Sequence, residues 1–169
     1  MKKIKNSLCV AFLCMATVFS ATAQEKKASP AEVAQGKING AIVTINYSSP
    51  AVNERAIWGE LVPFGKVWRA GANEATTIKT DKDLIVEGNK LTAGTYSVFV
   101  IPQLHEATVI FNKVAKQWGA SKYDKAEDAF RVSVKPNARK LKAERLTYTI
   151  SSNKIVLSWD YWDIPLSVK

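Results

Sequence analysis

From Val43 onward, apolar residues recur at every second position in short runs, and a cluster of turn-forming residues closes each run. Val43, Ile45 and Tyr47 alternate with Thr44 and Asn46, and Ser48-Ser49-Pro50 follows. A period of two sends successive side chains to opposite faces of an extended strand, so an amphipathic helix is excluded for these stretches. Thr76, Ile78 and Thr80 lead into Asp81-Lys82-Asp83, a turn. Leu84, Ile85 and Val86 run into Glu87-Gly88-Asn89-Lys90. Gly-Asn between two apolar runs is a hairpin signal. Tyr96 to Ile101 is apolar on both parities except at Ser97, the pattern of a strand in the middle of a sheet. Further runs follow at Thr108–Phe111, Phe130–Val134, Leu146–Ile150, Ile155–Trp159 and Ile164–Val168, with Ser151–Lys154 as a hairpin turn. These short strands predict an all-β fold, a single antiparallel β-sandwich of jelly-roll-like character over residues 36–169. Helix is confined to a turn or two at Asn112–Trp118 and Lys122–Asp128. A composition of 47% hydrophobic and 23% charged residues supports one packed core and not a disordered chain.

The first 23 residues read differently. Lys2, Lys3 and Lys5 form a positive segment, Leu8–Phe19 an apolar one, and Ala21-Thr22-Ala23 a small-x-small cleavage site. In that order they spell a secretory signal peptide, which predicts a mature chain starting at Gln24 in the periplasm or outside the cell. The apolar run is too short to span a bilayer, so no membrane span is expected. Cys9 and Cys14, the only cysteines, leave with the signal, and with them any disulfide or thiol chemistry. Three lysines leave too, taking the net charge from +9 down by three, to +6. The remaining cations are scattered, so no nucleic-acid partner is expected. Residues 24–35, with Lys26-Lys27 and Ser29-Pro30, read as a flexible lead-in.

The stretch from Ile57 to Thr76 breaks the alternation. It packs Trp58, Trp68, Lys66, Arg69, Asn73, Glu60 and Glu74 among Gly59, Gly65, Gly71 and Pro63. Long loops with specified turn residues are where sandwiches carry sites. In the binding reading, Trp68 offers an aromatic platform, Arg69 a forked cation, and Asn73 and Glu74 directional hydrogen bonds, with Lys66 alongside. In the structural reading, Trp58 and Trp68 plug the sandwich. Under both readings Arg69 needs a partner, and Glu74 is expected to pair with it at a partly buried position beside Asn73. A second aromatic cluster, Gln117 to Asp124, places Trp118 and Tyr123 as further walls of the same cleft, or as a cap on one end of the sandwich.

Three strings in this chain carry a resemblance to a known family: LVPFGKVWRAGANEAT (Leu61 to Thr76), LTAGTYSVFVIP (Leu91 to Pro102) and VIFNKVAKQWGASKYD (Val109 to Asp124). They resemble the bacterial exported proteins catalogued as domain of unknown function 2911, over about Ser29 to Val168. The resemblance implies a single exported β-rich domain and carries over no activity, substrate or catalytic residue. Asn53-Glu54-Arg55 departs from the Lys-Gly-Arg-like turn expected there, which puts the local hairpin geometry in question.

Residue inventory narrows the chemistry. With one histidine, His105, and no mature cysteine, a His/Cys metal site is not expected. His105 lies in Pro102–Glu106 without a nucleophile elbow, so a solvated loop residue is the reading preferred over a Ser-His-Asp triad. No phosphate-binding glycine loop precedes a helix, and no cofactor is expected. Asp81-Lys82-Asp83 lacks the remaining ligands of a calcium loop. Glycoside hydrolysis needs only two carboxyl groups about 5 to 10 Å apart, and Glu60 and Glu74 are the candidates. The leading expectation is a non-catalytic exported domain whose 58–76 loop binds a small polar ligand, envelope glycan or partner protein; the alternative is an envelope hydrolase using Glu60 and Glu74 as acid and base.

Overall fold

A computed structural model describes residues 28–169; the expected signal segment, both cysteines and the start of the lead-in lie outside the described residues. The chain is all-β, and among the described residues its one helical piece is a single 3-10 turn, Lys125–Glu127. That turn is capped by Asp124, whose carboxylate accepts from the Ala126 N–H. Of the Asn112–Trp118 segment, Asn112 ends a strand and residues 113–118 form a loop.

The large antiparallel sheet contains β1 (Ala31–Ile38), β2 (Ala41–Ser48), β3 (Thr76–Thr80), β6 (Gly94–Pro102), β7 (Ala107–Asn112) and β8 (Asp128–Val134), in that spatial order. Between β3 and β6 the chain crosses to the other layer as the hairpin β4 (Leu84–Val86) and β5 (Asn89–Leu91). That layer holds the long pair β9 (Asn137–Ile150) and β10 (Lys154–Ser167). The Ile85 and Lys169 main chains exchange hydrogen bonds at 2.8 and 2.9 Å, joining β4 to the end of β10. On the far side Val52 N–H donates to Glu144 O at 2.8 Å, adding the 50–52 segment to the edge of β9. The fold is the expected all-β sandwich, one six-stranded antiparallel sheet with two two-stranded sheets.

Strand β1 corrects the expectation of a flexible lead-in through residue 35, since it begins at Ala31 and pairs with β2 along its whole length. Its turn is Asn39-Gly40, both left-handed, at φ 47° and 76°. Two left-handed residues give a turn whose twist matches the paired strands.

The double parity of Tyr96–Ile101 has a direct cause. Val98 and Val100 face the main core, while Phe99 packs on the opposite face of the sheet with Ile110 and Ala75. In β10, Trp159 and Trp162 are three apart and in a regular strand would face opposite ways. The register slips on both sides of Asp160, which is left-handed at φ 51°. That bulge turns both rings toward Trp58: Trp162 stacks on it at 4.5 Å and Trp159 meets it edge-on at 6.1 Å.

Candidate binding site on the 58–76 loop

The loop begins as an extra partner for β6. Trp68 and Val100 exchange main-chain hydrogen bonds at 2.8 Å each, and Gly65 N–H reaches Pro102 O at 2.8 Å. These residues continue the line of β3 alongside β6. Residues 70–75 form an excursion out of that line, closed by Thr76 N–H on Arg69 O at 3.2 Å and by the Thr76 hydroxyl on Ala70 O at 2.9 Å. Ala70 and Asn73 take left-handed backbones, φ 53° and 58°, to make the reversal. Gly71 sits where a Cβ would lie 2.9 Å from Thr76 Oγ1 and 3.1 Å from Ser48 O, so no larger residue fits. From the core side, the buried Tyr148 hydroxyl donates to Ala70 O at 2.8 Å. Burial drives the Tyr148 phenol far above its ordinary pKa, so it stays a donor.

Trp68 is half-buried. Its ring stacks on Trp159 at 5.7 Å and meets Trp58 edge-on at 5.8 Å, while its N–H donates to Gly71 O at 3.1 Å. The plug and the platform are therefore the same residue: one face packs in the aromatic cluster, and the ring also lines a hollow of about 220 Å³. Arg55, Leu61, Arg69, Asn73 and Trp159 line it too. A neighbouring hollow of about 370 Å³ is lined by Ser29, Ala31, Ser48, Asn73, Glu74 and Trp118. Asn73 and Ser29 belong to both and stand between them. The Asn73 amide donates to Ser29 O at 3.3 Å and to Ser48 Oγ at 3.2 Å, which fixes that divide.

The expected Arg69–Glu74 pair is not formed. The Arg69 Nη1 donates to the main-chain oxygen of Asn73 at 2.8 Å, and the guanidinium lies against Gly119. Among the described residues no ion pair includes either Arg69 or Glu74. Glu74 is exposed, and its main chain is bridged to Trp118, with Ala75 N–H on Gln117 O at 3.1 Å. Asn73 does stand beside Arg69, through its carbonyl. Trp118 is 63% exposed, the open wall of the larger hollow.

Three further candidates fall outside these hollows. Glu60 is exposed on the tight turn after Trp58, with its N–H on Ile57 O at 3.4 Å; it lines neither hollow, whereas Glu74 lines the larger. Lys66 is exposed on the turn after Pro63. Tyr123 is not a wall of the cleft. Its ring packs edge-on against Phe99 at 4.9 Å, and its hydroxyl donates to Asp128 Oδ2 at 2.8 Å. Arg131 Nε holds the same carboxylate at 2.6 Å and its Nη2 reaches the Tyr123 hydroxyl. Burial, then the Asp128 carboxylate, pushes the Tyr123 phenol up to about 12. With Asn112 Nδ2 on Asp128 Oδ1 at 3.0 Å and Gln117 Nε2 on Asn112 Oδ1 at 3.2 Å, this network pins the 112–124 loop to the sheet and so carries Trp118 to its place.

Sequence reasoning missed Arg55, Ser29 and Ser48 as wall residues. Arg55 lay in the turn flagged for its departure from the expected pattern; Ser29 and Ser48 carried no signal of their own. His105 lies in an exposed loop beside Leu104. Among the described residues no three His, Cys, Asp or Glu side chains gather where a metal could be held, and no helix is long and apolar enough to cross a membrane.

Fold and loop together define an antiparallel β-sandwich with one face of a two-part groove built by an inter-strand excursion. The chain belongs to the family described as protein of unknown function (DUF2911), whose model matches residues 29–168. Neither the curated proteins nor the solved structures contain a match to it.

Proposed function

We propose that the protein is an exported, non-catalytic domain that binds a small polar ligand in the groove on the 58–76 loop. The observation that carries this reading is the pair of adjoining hollows at Asn73, one backed by Trp68 and Arg69, the other opening past Glu74 to an exposed Trp118. Aromatic walls with a few fixed polar groups are the make-up of small-molecule sites. Binding is favoured over glycoside hydrolysis because Glu74 lines the larger hollow while its expected partner Glu60 lines neither.

The test is a ligand-observed NMR screen of short glycans, amides and organic acids, followed by mapping of amide shifts. Hits should move residues 69–74 and 117–119, and Trp118→Ala should weaken those whose shifts include 117–119. Hits that map to another face would sink the proposal. Cleavage of any hit, abolished by Glu74→Gln with affinity retained, would replace it with the hydrolase.

A further inference from the structure

Two guanidinium groups line the smaller hollow, and neither has a carboxylate partner. Arg55 donates through Nε to Val52 O at 3.0 Å and through Nη2 to Ala51 O at 2.6 Å. Arg69 donates through Nη1 to Asn73 O at 2.8 Å. Among the described residues the ion pairs are Lys90–Asp83, Arg131–Asp128, Arg139–Asp163 and Lys142–Glu144, so both arginines stand outside them. The wall of the hollow contains no Asp or Glu. Main-chain carbonyls satisfy hydrogen bonds and orient each fork, but a carbonyl is a dipole and leaves the full positive charge in place. Two such charges beside apolar walls focus a positive potential into a confined volume.

The wall also carries the apolar Leu61, Trp68 and Trp159 beside the polar Ser29 and Asn73. Trp159 is 2% exposed, and its indole N–H has no partner among the described residues. At about 220 Å³ the hollow falls below the roughly 300 Å³ where sites for drug-sized ligands begin, so it suits a single ring with one head group.

We infer that this hollow binds a small organic oxyanion, its carboxylate or phosphate group held by Arg55 and Arg69 and its flat body laid against Trp68. The forked guanidinium matches the two oxygens of such a head group better than a neutral polyol does. The inference rests on the reading of the 58–76 loop as a binding surface and adds the charge and shape of the ligand.

Benzoate, phenyl phosphate and the neutral isostere benzamide, titrated separately into the purified protein and followed by amide and indole N–H shifts, test it. The two anions resolve which head group is preferred. At least one should bind, moving the Trp68 and Trp159 indole signals, with benzamide about tenfold or more weaker and with affinity falling as salt is added. Arg55→Gln and Arg69→Gln should each weaken the anion about tenfold, and Arg55→Lys, which keeps charge without the fork, by less. The benzamide and salt comparisons use the unaltered protein, so they hold even where a variant fails to fold. Benzamide binding as well as benzoate, or no shift of these signals by either anion at tens of millimolar, overturns the inference. If a neutral glycan from the broader screen moves residues 69–74 while the anions do not, the oxyanion inference fails and the binding reading survives. Hits confined to another face remove both.

Discussion

Gly119 is one of the points at which the two loops touch, and replacing it with alanine should cost more than its backbone alone explains. Its φ is 60°, and an added Cβ would lie 3.1 Å from Arg69 Nη1 and 3.3 Å from Arg69 Cζ. Alanine in the left-handed region costs about 1 to 2 kcal/mol, and its smaller unfolded-state freedom returns about 0.4 to 1 kcal/mol. A net loss of about 1 kcal/mol is therefore expected from conformation. Gly65 is the internal control, with φ 72° and nothing within 4 Å of its added Cβ, so Gly65→Ala should show that conformational loss and little else. At position 119 the guanidinium must also give by a few tenths of an ångström, and it is held by the 2.8 Å bond to Asn73 O. Weakening a charged hydrogen bond at a half-exposed site adds about 1 kcal/mol. Gly119→Ala should thus cost about 2 kcal/mol, and lower the melting temperature about twice as far as Gly65→Ala. Urea unfolding of the original protein, Gly119→Ala, Arg69→Ala and the double variant closes the cycle. With Arg69 gone, Gly119→Ala should fall to about 1 kcal/mol. Equal losses at 65 and 119, or a coupling to Arg69 below about 0.5 kcal/mol, would show that the loops do not bear on each other there.

Two further expectations concern stability. Asn53 and Glu54 are both left-handed, φ 48° and 59°, in the turn closed by Arg55 N–H on Val52 O at 3.1 Å; Glu54→Gly should raise stability by about 0.5 kcal/mol, and a fall in the urea midpoint would refute that reading of strain. Alkaline pH should destabilise the fold: the folded-state values of Tyr148 and Tyr123 are raised, so an unfolded tyrosine loses its proton first, near pH 10. Their contribution is complete below about pH 10 and declines as pH climbs through the raised values, by at most about 1.4 kcal/mol per pH unit per tyrosine and by less for solvent-screened Tyr123. Stability flat from about pH 9.5 to 11.5 in equilibrium unfolding would contradict this.

Most strands were legible because one side of each is buried and the alternation records it. Strand β1 was not. It is an edge strand whose only fully buried residue is Ile38, so its composition resembles a tether. The Asn39-Gly40 dipeptide was nonetheless a hairpin signal that could have located it. The first half of β9, from Asn137 to Glu144, is largely charged, and its place is set by hydrogen bonding to the bulged half of β10 and not by burial. The candidate site was legible as a loop and as a set of residue types, since Trp68, Arg69, Asn73, Glu74 and Trp118 each line one of the two hollows. Its pairings were not. Proximity in sequence pointed Arg69 at Glu74, but the reversals at Ala70 and Asn73 bring a carbonyl to the guanidinium instead. Tyr123 was misplaced because its position depends on Asp128 and Arg131, which alternation alone marks as ordinary strand residues.

Phe99, Ile110 and Ala75, with Val67, Ala120 and Tyr123 over them, form a small apolar cluster separated from the main core by the thickness of one sheet. The 112–124 loop is seated on it through Ala120 and Tyr123, while the 58–76 loop touches it through Val67 and Ala75 but packs Trp58, Val62, Trp68 and Ala70 on the main core. The 112–124 loop can therefore open at the free energy of the minor cluster and its polar pins, while the 58–76 loop stays tied to the sandwich beneath through Trp68 and Ala70. Amides of the 112–124 loop and amides in the β6–β7 ladder would then exchange with solvent through different openings. A substitution that loosens the 112–124 loop would then speed exchange at residues 117–119 more than in the β6–β7 ladder, and would move the Trp118 wall of the candidate groove.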